Sequence, residues 1–295
     1  MNYVIEPNLS KKKAYQTTLA VIAHLRMIGA EVYMNTADAE TFCGQRVTFL
    51  DSEQLYDCAD FVIAIGGDGT ILRSANSILD YAVRQKRQPV KIVGINTGTL
   101  GFLAAFEAKE LDMLTRLEQE NYSVSERILL EASVSAENGS RFLCRALNDI
   151  YASRINGRIC DFAVSVDGHQ IGVYRADGII FSTPTGSSAY ALSAGGPVME
   201  PDLSLIEMNL ICPHSLFARP MLFSPQRQIS VTCHGVGDED GLRVNVDGSE
   251  AAMLHNKQSF TVSVPSLTMP FVNLKGHAFY DALNGKLMRP LKGQG

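Results

Sequence analysis

The stretch Phe61–Asn76 reads FVIAIGGDGTILRSAN. Five apolar residues, Phe61–Ile65, run unbroken into Gly66-Gly67-Asp68-Gly69-Thr70, and a helical pattern follows. A strand with no polar face must be covered on both sides, which asks for a parallel sheet with helices packed above and below it. Lys91–Ile95 is a second strand of that kind, and Tyr3-Val4-Ile5 and Val32-Tyr33-Met34 are shorter ones. Between them, Ala14, Thr18, Val21, Ile22 and Leu25 form one helical stripe, with Gly29 as its stop. Ser52 is read as the cap of a short helix through Cys58. Thr70 to about Ala82 is read as a helix with Ile71, Leu72, Ala75, Ile78 and Leu79 inward, and Glu107–Glu120 is amphipathic through Leu111, Leu114 and Leu117. This β-α-β-α order predicts a Rossmann-like α/β domain over residues 1–122.

After Asn121 strand-like stretches follow one another: Leu129–Ser135, Phe142–Ala146, Phe162–Val166, Ile171–Tyr174, Gly178–Ser182, Gln228–Cys233, Leu242–Val246 and Phe260–Val264. Asp167-Gly168 and Asp247-Gly248 each sit between two such stretches, a strong hairpin signal. A mostly β domain is therefore expected over residues 123–273. Phe279, Leu283 and Leu287 return to helical spacing, so the tail 274–295 is expected to rejoin the first domain, with Lys292–Gly295 fraying. A chain of 295 residues with 46% apolar residues has core enough for both.

Composition removes several function classes. A net charge of −5, with no basic run beyond Lys11-Lys12-Lys13, argues against a nucleic-acid surface. No run approaches the roughly 18 apolar residues that span a bilayer, and no signal peptide is expected. The six cysteines contain no Cys-x-x-Cys pair, and the six histidines show no metal-ligand spacing. Reduced thiols in a cytoplasmic protein are the expectation.

Asp-Gly occurs five times in the chain, and most such pairs are turn formers. Asp68 differs in position. It lies between a buried strand and a helix, where the carboxyl ends of parallel strands open onto a ligand crevice. Glycines there let the backbone approach a phosphate, whereas a carboxylate repels one. Such a carboxylate should bind Mg²⁺ or take a proton from an attacking hydroxyl. The P-loop pattern is absent, and G-x-G-x-x-G fits Gly67 and Gly69 but meets Leu72 at its third glycine. A second glycine-rich turn, GINTGTLGFL from Gly94 to Leu103, also follows a buried strand. In the β half, Asn148-Asp149 ends an apolar segment. Tyr174–Pro197, YRADGIIFSTPTGSSAYALSAGGP, holds a turn at Thr183–Gly186, and Ser187-Ser188 is read as capping a helix through Ala194. That hydroxyl-lined turn is either an anion or ribose site or merely a well-capped helix.

GGDGT, GINTGTLGFL, Asn148-Asp149, Asp177-Gly178 before a strand, and STPTGSSAYALSAGGP, in this order, resemble the NAD kinase family. CPHSLFARP (Cys212–Pro220) and the VNVDG hairpin are similar to it as well. The resemblance runs over roughly residues 60–250. GGDGT alone is shared with diacylglycerol-type lipid kinases and phosphofructokinases, so the Thr183–Pro197 segment carries the specificity.

The resemblance implies phosphoryl transfer from ATP, carried with Mg²⁺, to the 2′-hydroxyl of the adenosine ribose of NAD. By it, Asp68 accepts the proton or organises Mg²⁺. Gly67, Gly69, Thr70 and Arg73 contact phosphates of ATP, and Asp68 and Gly69 also meet NAD. Asn148 and Asp149 contact ribose and adenine, and Asp177 faces the nicotinamide carboxamide. Thr185, Ser188, Ala189, Tyr190 and Ser193 line the NAD pocket, with Arg158 and Arg175 as further polar contacts. The resemblance also implies a homodimer or homotetramer. Ser188 stands where threonine is usual, and Asp149 where many relatives have the longer glutamate. His214, in CPHSLFARP, either supports the site or is a hydrogen-bonded structural histidine. Two rival readings are a lipid or sugar kinase sharing the glycine–aspartate loop, and an NAD(P)-binding sensor without turnover.

Overall fold

The apolar strands of the first unit alternate with helices as their burial requires. In chain order they are β1 (Asn2–Pro7), α1 (Ala14–Met27), β2 (Glu31–Asn35), β3 (Thr48–Leu50), α2 (Ser52–Cys58), β4 (Phe61–Gly66), α3 (Asp68–Gln85), β5 (Lys91–Asn96), β6 (Phe106–Glu107), α4 (Thr115–Glu118) and β7 (Ser123–Ile128). The structure is a computed structural model that describes residues 1–98, 101–135, 141–155, 159–235 and 241–287. Two compact units emerge: Met1–Glu126 with the described chain from Met269 onward, and Arg127–Thr268.

The first unit's sheet runs β3-β2-β1-β4-β5, then the late strand Thr268–Asn273, then β7, with β6 beside β5. The pairs β1–β2, β1–β4, β2–β3, β4–β5 and β5–β6 are parallel. From β1 the chain steps outward through β2 to β3, then returns to lay β4 on the other side of β1. The order reverses between β1 and β4, and a crevice opens there beyond the carboxyl ends of the strands. Every residue of β4 is buried, as its sequence demands. α1 buries Ala14, Thr17, Thr18, Val21, Ile22 and Leu25 and is followed by Gly29 at φ +81°, the left-handed stop expected of glycine. α2 starts from Asp51 rather than Ser52, because Asp51 and Gln54 form a reciprocal capping box.

The sequence reading places residues to 273 in the second domain, but Thr268–Asn273 pairs in parallel with β5. Its residues Met269–Val272 are all buried. That is the pattern of β4 again, a strand covered on both faces, which the edge of a half-wet antiparallel sheet does not require.

The second unit contains β8 (Leu130–Ser135), β9 (Arg141–Ala146), β10 (Asp149–Arg154), β11 (Cys160–Val166), β12 (His169–Ala176), β13 (Gly178–Ser182), the short helix α5 (Tyr190–Ser193), β14 (Ile206–Ile211), β15 (Met221–Phe223), β16 (Ile229–His234), β17 (Leu242–Val246), β18 (Ser249–Leu254) and β19 (Ser259–Ser263). Two six-stranded sheets result, ordered β15-β14-β13-β10-β17-β18 and β12-β11-β16-β19-β8-β9. They share one core that includes Ile150, Phe162, Phe181, Val231, Val244 and Phe260, and the rings of Phe181 and Phe260 meet edge-on at 6.1 Å. The late strand named above is β20, and α6 (Ala278–Lys286) follows it.

Both expected hairpins form with two-residue turns. Asp167 and Gly168 have φ of 49° and 83°, Asp247 and Gly248 of 48° and 80°, so all four central residues take the positive φ of a type I′ turn.

Candidate active site

The carboxyl end of β4 passes through Gly66 and Gly67 directly into α3. The helix starts at Asp68 rather than at Thr70, with Gly67 as its N-cap. Asp68 therefore stands in the first turn of an 18-residue helix, where the N–H groups of Asp68 and Gly69 have no intrahelical acceptor and the helix dipole favours negative charge. Asn8, just beyond β1, closes the other side of the crevice. Its N–H donates to Ile65 O at 2.9 Å, and its Nδ2 donates to Thr70 Oγ1 at 2.9 Å. This is the switch point between β1 and β4.

The Asp68 carboxylate is held from three directions. The Phe102 N–H donates to Oδ2 and the Leu103 N–H to Oδ1, each at 3.1 Å. The Lys286 ammonium of α6 donates to Oδ2, also at 3.1 Å. The second glycine turn thus grips the carboxylate of the first. Gly101 makes this possible, since a Cβ there would lie 1.9 Å from Asp68 Oδ1. Gly67 and Gly69 face open space instead, with nothing within 4 Å of an added Cβ. The loop is packed tightly below and left clear above, which suits a ligand that needs close backbone approach.

The outcome for the remaining loop residues is mixed. The Thr70 N–H donates to Gly67 O at 2.8 Å and its buried hydroxyl accepts from Asn8, so Thr70 braces the loop from beneath. Arg73 lies exposed on α3. Thr99 and Leu100 of the second turn, Arg158 and the Lys292–Gly295 end of the tail lie outside the described residues.

In the second unit, the residues read as ribose contacts are organised by a hairpin aspartate. The Asp247 carboxylate accepts the N–H groups of Leu147 (2.9 Å), Asn148 (2.8 Å) and Asp149 (3.1 Å). Hydrogen bonds to a charged acceptor contribute about 1.5–3 kcal/mol each, so this is a firm brace. The Asp149 side chain is buried, and its carboxylate accepts the Tyr190 N–H. Burial first, and the nearby Asp247 charge second, push its pKa up to about 7. The rings of Tyr151 and Tyr190 stand edge-on at 4.9 Å. Thr183 links the two segments: its N–H donates to Asn148 O (2.9 Å) and its hydroxyl to Leu147 O (2.6 Å), while Gly186 N–H donates to that hydroxyl (3.1 Å). A Cβ on Gly186 would fall 2.1 Å from Asn148 O.

The expected helix cap at Ser187-Ser188 is not formed. Thr185–Ser188 is a 3₁₀ turn, Ala189 breaks it at φ −101° and ψ −125°, and α5 follows. Ser187 is buried, donating to Pro184 O (2.7 Å) and accepting the Met199 N–H (2.9 Å). Thr185 is buried too, with no hydrogen-bond partner for its hydroxyl. Ser188 and Ala189 are partly exposed, and Tyr190 and Ser193 are exposed.

Asp177 sits at the opposite end of β13 from Thr183 and pairs with Arg154 Nε at 3.0 Å. Five residue steps take the chain from Asp177 to Ser182, which faces Asp149 across the sheet. At the strand rise that is about 17 Å, a distance suited to the two ends of a dinucleotide. Arg175 is paired to Asp161 through two bonds, 2.8 and 2.9 Å, on an exposed face of β12. His214 is exposed, and its backbone N–H donates to Arg175 O at 2.9 Å.

Sequence reasoning missed Asn8, Gly101, Lys286 and the brace role of Asp247. The second glycine turn was the one available signal for Gly101. Nothing in the spacing of Lys286 points to Asp68, 218 residues away. Among the described residues no group of three or more His, Cys, Asp and Glu is arranged to hold a metal ion.

A parallel sheet with a glycine–aspartate loop at its switch point, joined to a sandwich that braces a buried carboxyl under a hydroxyl-rich turn, defines a nucleotide-handling phosphotransferase. Comparison with known proteins narrows this. The family model for the ATP-NAD kinase N-terminal domain matches residues 8–122, and that for the ATP-NAD kinase C-terminal domain matches residues 147–274. The chain is 32% identical over 283 residues to the NAD kinase of Caldanaerobacter subterraneus, covering 95% of this chain and 96% of the relative. It is 34% identical over 287 residues to that of Symbiobacterium thermophilum, covering 97% and 98%. Among solved structures, an Archaeoglobus fulgidus NAD kinase in complex with ATP superposes with a TM-score of 0.72 at 25% identity, covering 97% of this chain and 98% of that one. A yeast NADH kinase complexed with NADH shares the fold, with a TM-score of 0.88 at 23% identity over 100% of this chain and 89% of that one. The chain belongs to the NAD kinase family.

Proposed function

We propose that this protein transfers the terminal phosphoryl group of ATP to the 2′-hydroxyl of the adenosine ribose of NAD, giving NADP and ADP. The observation that carries the reading is Asp68, fixed by two backbone N–H groups at the amino end of α3 beneath open space. In this role Asp68 takes the proton of the ribose hydroxyl. The freed oxygen forms the new P–O bond as the bond from the γ-phosphorus to the bridging oxygen breaks and ADP leaves. Phosphoryl transfer asks little covalent work of the protein, so positioning and charge dominate. The N–H groups at Gly67, Asp68 and Gly69 would hold phosphate oxygens. Asn148, Asp149 and the Ser188–Ser193 turn would hold adenosine, with Asp177 toward the nicotinamide end.

Mg·ATP is the substrate form. One carboxylate stands on the loop, already engaged by three donors, so the donor set suits a cation brought in by the polyphosphate, toward which Asp68 would present a carboxylate oxygen. Magnesium there would neutralise charge on the phosphates.

We also read the protein as a cytoplasmic homo-oligomer. Support for the compartment is that all six cysteines are free thiols. Support for association is the exposure of Leu216 and Phe217, each 88% exposed in the CPHSLFARP segment. No helix among the described residues is long and apolar enough to cross a membrane.

Incubation with Mg·ATP and NAD, with NADP read by an NADP-specific dehydrogenase, tests the activity. Asp68→Asn should keep NAD binding and lose turnover by roughly 10²–10⁴-fold. Turnover within a few-fold of wild type would remove Asp68 from the chemistry. NAD binding with no NADP formed by the wild-type protein would instead favour a sensor.

A further inference from the structure

We propose that Lys286, on the C-terminal helix α6, is a positioning residue for Asp68. The inference rests on the reading of Asp68 as proton acceptor. Its ammonium lies 3.1 Å from Asp68 Oδ2 and 5.0 Å from the centroid of the Phe102 ring. Phe102 is the residue whose N–H binds the same carboxylate oxygen. The helix is seated there by its own contacts: Ala282 is buried and the Phe279 ring lies 6.1 Å from that of Phe102. Phe102 therefore meets the carboxylate through its backbone, the ammonium through its ring face, and the helix through Phe279.

Stability does not explain the arrangement. Both side chains are about one-third exposed, and ion pairs in such settings contribute little. The chemistry does. A carboxylate that must present one oxygen to a hydroxyl in a fixed direction gains from a cation in contact, which fixes the other oxygen. The two backbone donors hold the carboxylate from the loop side, and the ammonium holds it from α6. With the ammonium removed, one of three restraints is gone, Oδ2 keeps only the Phe102 N–H, and the carboxylate is held from the loop side alone. Lysine suits the task, because an ammonium is a compact point charge on a flexible stem.

The test is a double-mutant cycle on the purified full chain, with kcat and KM for NAD and Mg·ATP, NAD binding, and the thermal transition of each variant. Lys286→Gln and Lys286→Ala should lower kcat by on the order of 10²-fold, leaving NAD binding, the thermal transition and both KM values within about threefold of wild type. Lys286→Arg should restore part of the loss. In the Asp68→Asn background, Lys286→Ala should cost less than about twofold, because its effect travels through the carboxylate. Wild-type kcat in Lys286→Gln and Lys286→Ala would overturn the proposal. So would a loss that multiplies with that of Asp68→Asn, or one confined to KM. If Asp68→Asn alone retains turnover, the acceptor reading fails whatever Lys286 does. If Asp68→Asn collapses while the Lys286 variants do not, only the inference about Lys286 fails.

Discussion

Two buried carboxyls in the second unit behave unlike ordinary aspartates and glutamates. Burial pushes Asp149 up to about 7, the Asp247 charge adds to the push, and the Tyr190 N–H draws it back. Burial likewise pushes Glu207 up to about 7 against the opposing bond from Asn209 Nδ2, at 2.6 Å. Each group binds its proton more tightly folded than unfolded. Its contribution to stability is therefore full below the ordinary carboxylate range and is lost as pH rises through about 7. For NAD the sign reverses. Ribose hydroxyls donating to Asp149 favour its charged form, so affinity should rise between pH 6 and pH 8 with release of a proton. Calorimetry in buffers of different ionisation enthalpy reads that proton directly. Asp149→Asn should flatten the profile, and an unchanged slope in that variant would move the titration to another group.

At the scale of elements, the loops work through close approach, and glycine positions test it. Gly101→Ala should displace Asp68, since the new methyl would sit 1.9 Å from its oxygen. Turnover should fall by on the order of 10²-fold while NAD binding survives. Gly186→Ala should do the converse, weakening NAD binding, because its methyl would meet Asn148 O at 2.1 Å. Steady-state kinetics and NAD titration of both variants check the split, and equal effects on both readouts in either variant would contradict it. Much of this layer was legible in advance. Fully apolar strands such as β4 announce themselves by composition, and Asp167-Gly168 and Asp247-Gly248 by turn chemistry. β10 and β14 went unread although Ile206-Glu-Met-Asn-Leu210 alternates as a strand should; what the pattern does not announce is that Asp149, Glu207 and Asn209 on the other face are buried as well. The Asp247 brace and the Lys286 contact were illegible for another reason. Each joins residues about a hundred or more positions apart, and local pattern holds no information on such pairings.

At the scale of the whole molecule, the exposed Leu216 and Phe217 set an expectation for association. Light scattering should give the mass of two or four copies, and Leu216→Ser with Phe217→Ser should lower it. A monomeric wild-type protein would refute this reading. The two units also differ in how the chain composes them. The second is one continuous stretch, Arg127–Thr268, whereas the first needs β20 and α6 from the far end. During synthesis, at about 5–20 residues per second, the strands flanking β20 wait on the order of ten seconds for their neighbour while the sandwich is being made. The ammonium that meets Asp68 emerges only after every strand of the sandwich. A chain truncated before α6 therefore carries the glycine–aspartate loop without the ammonium that meets it.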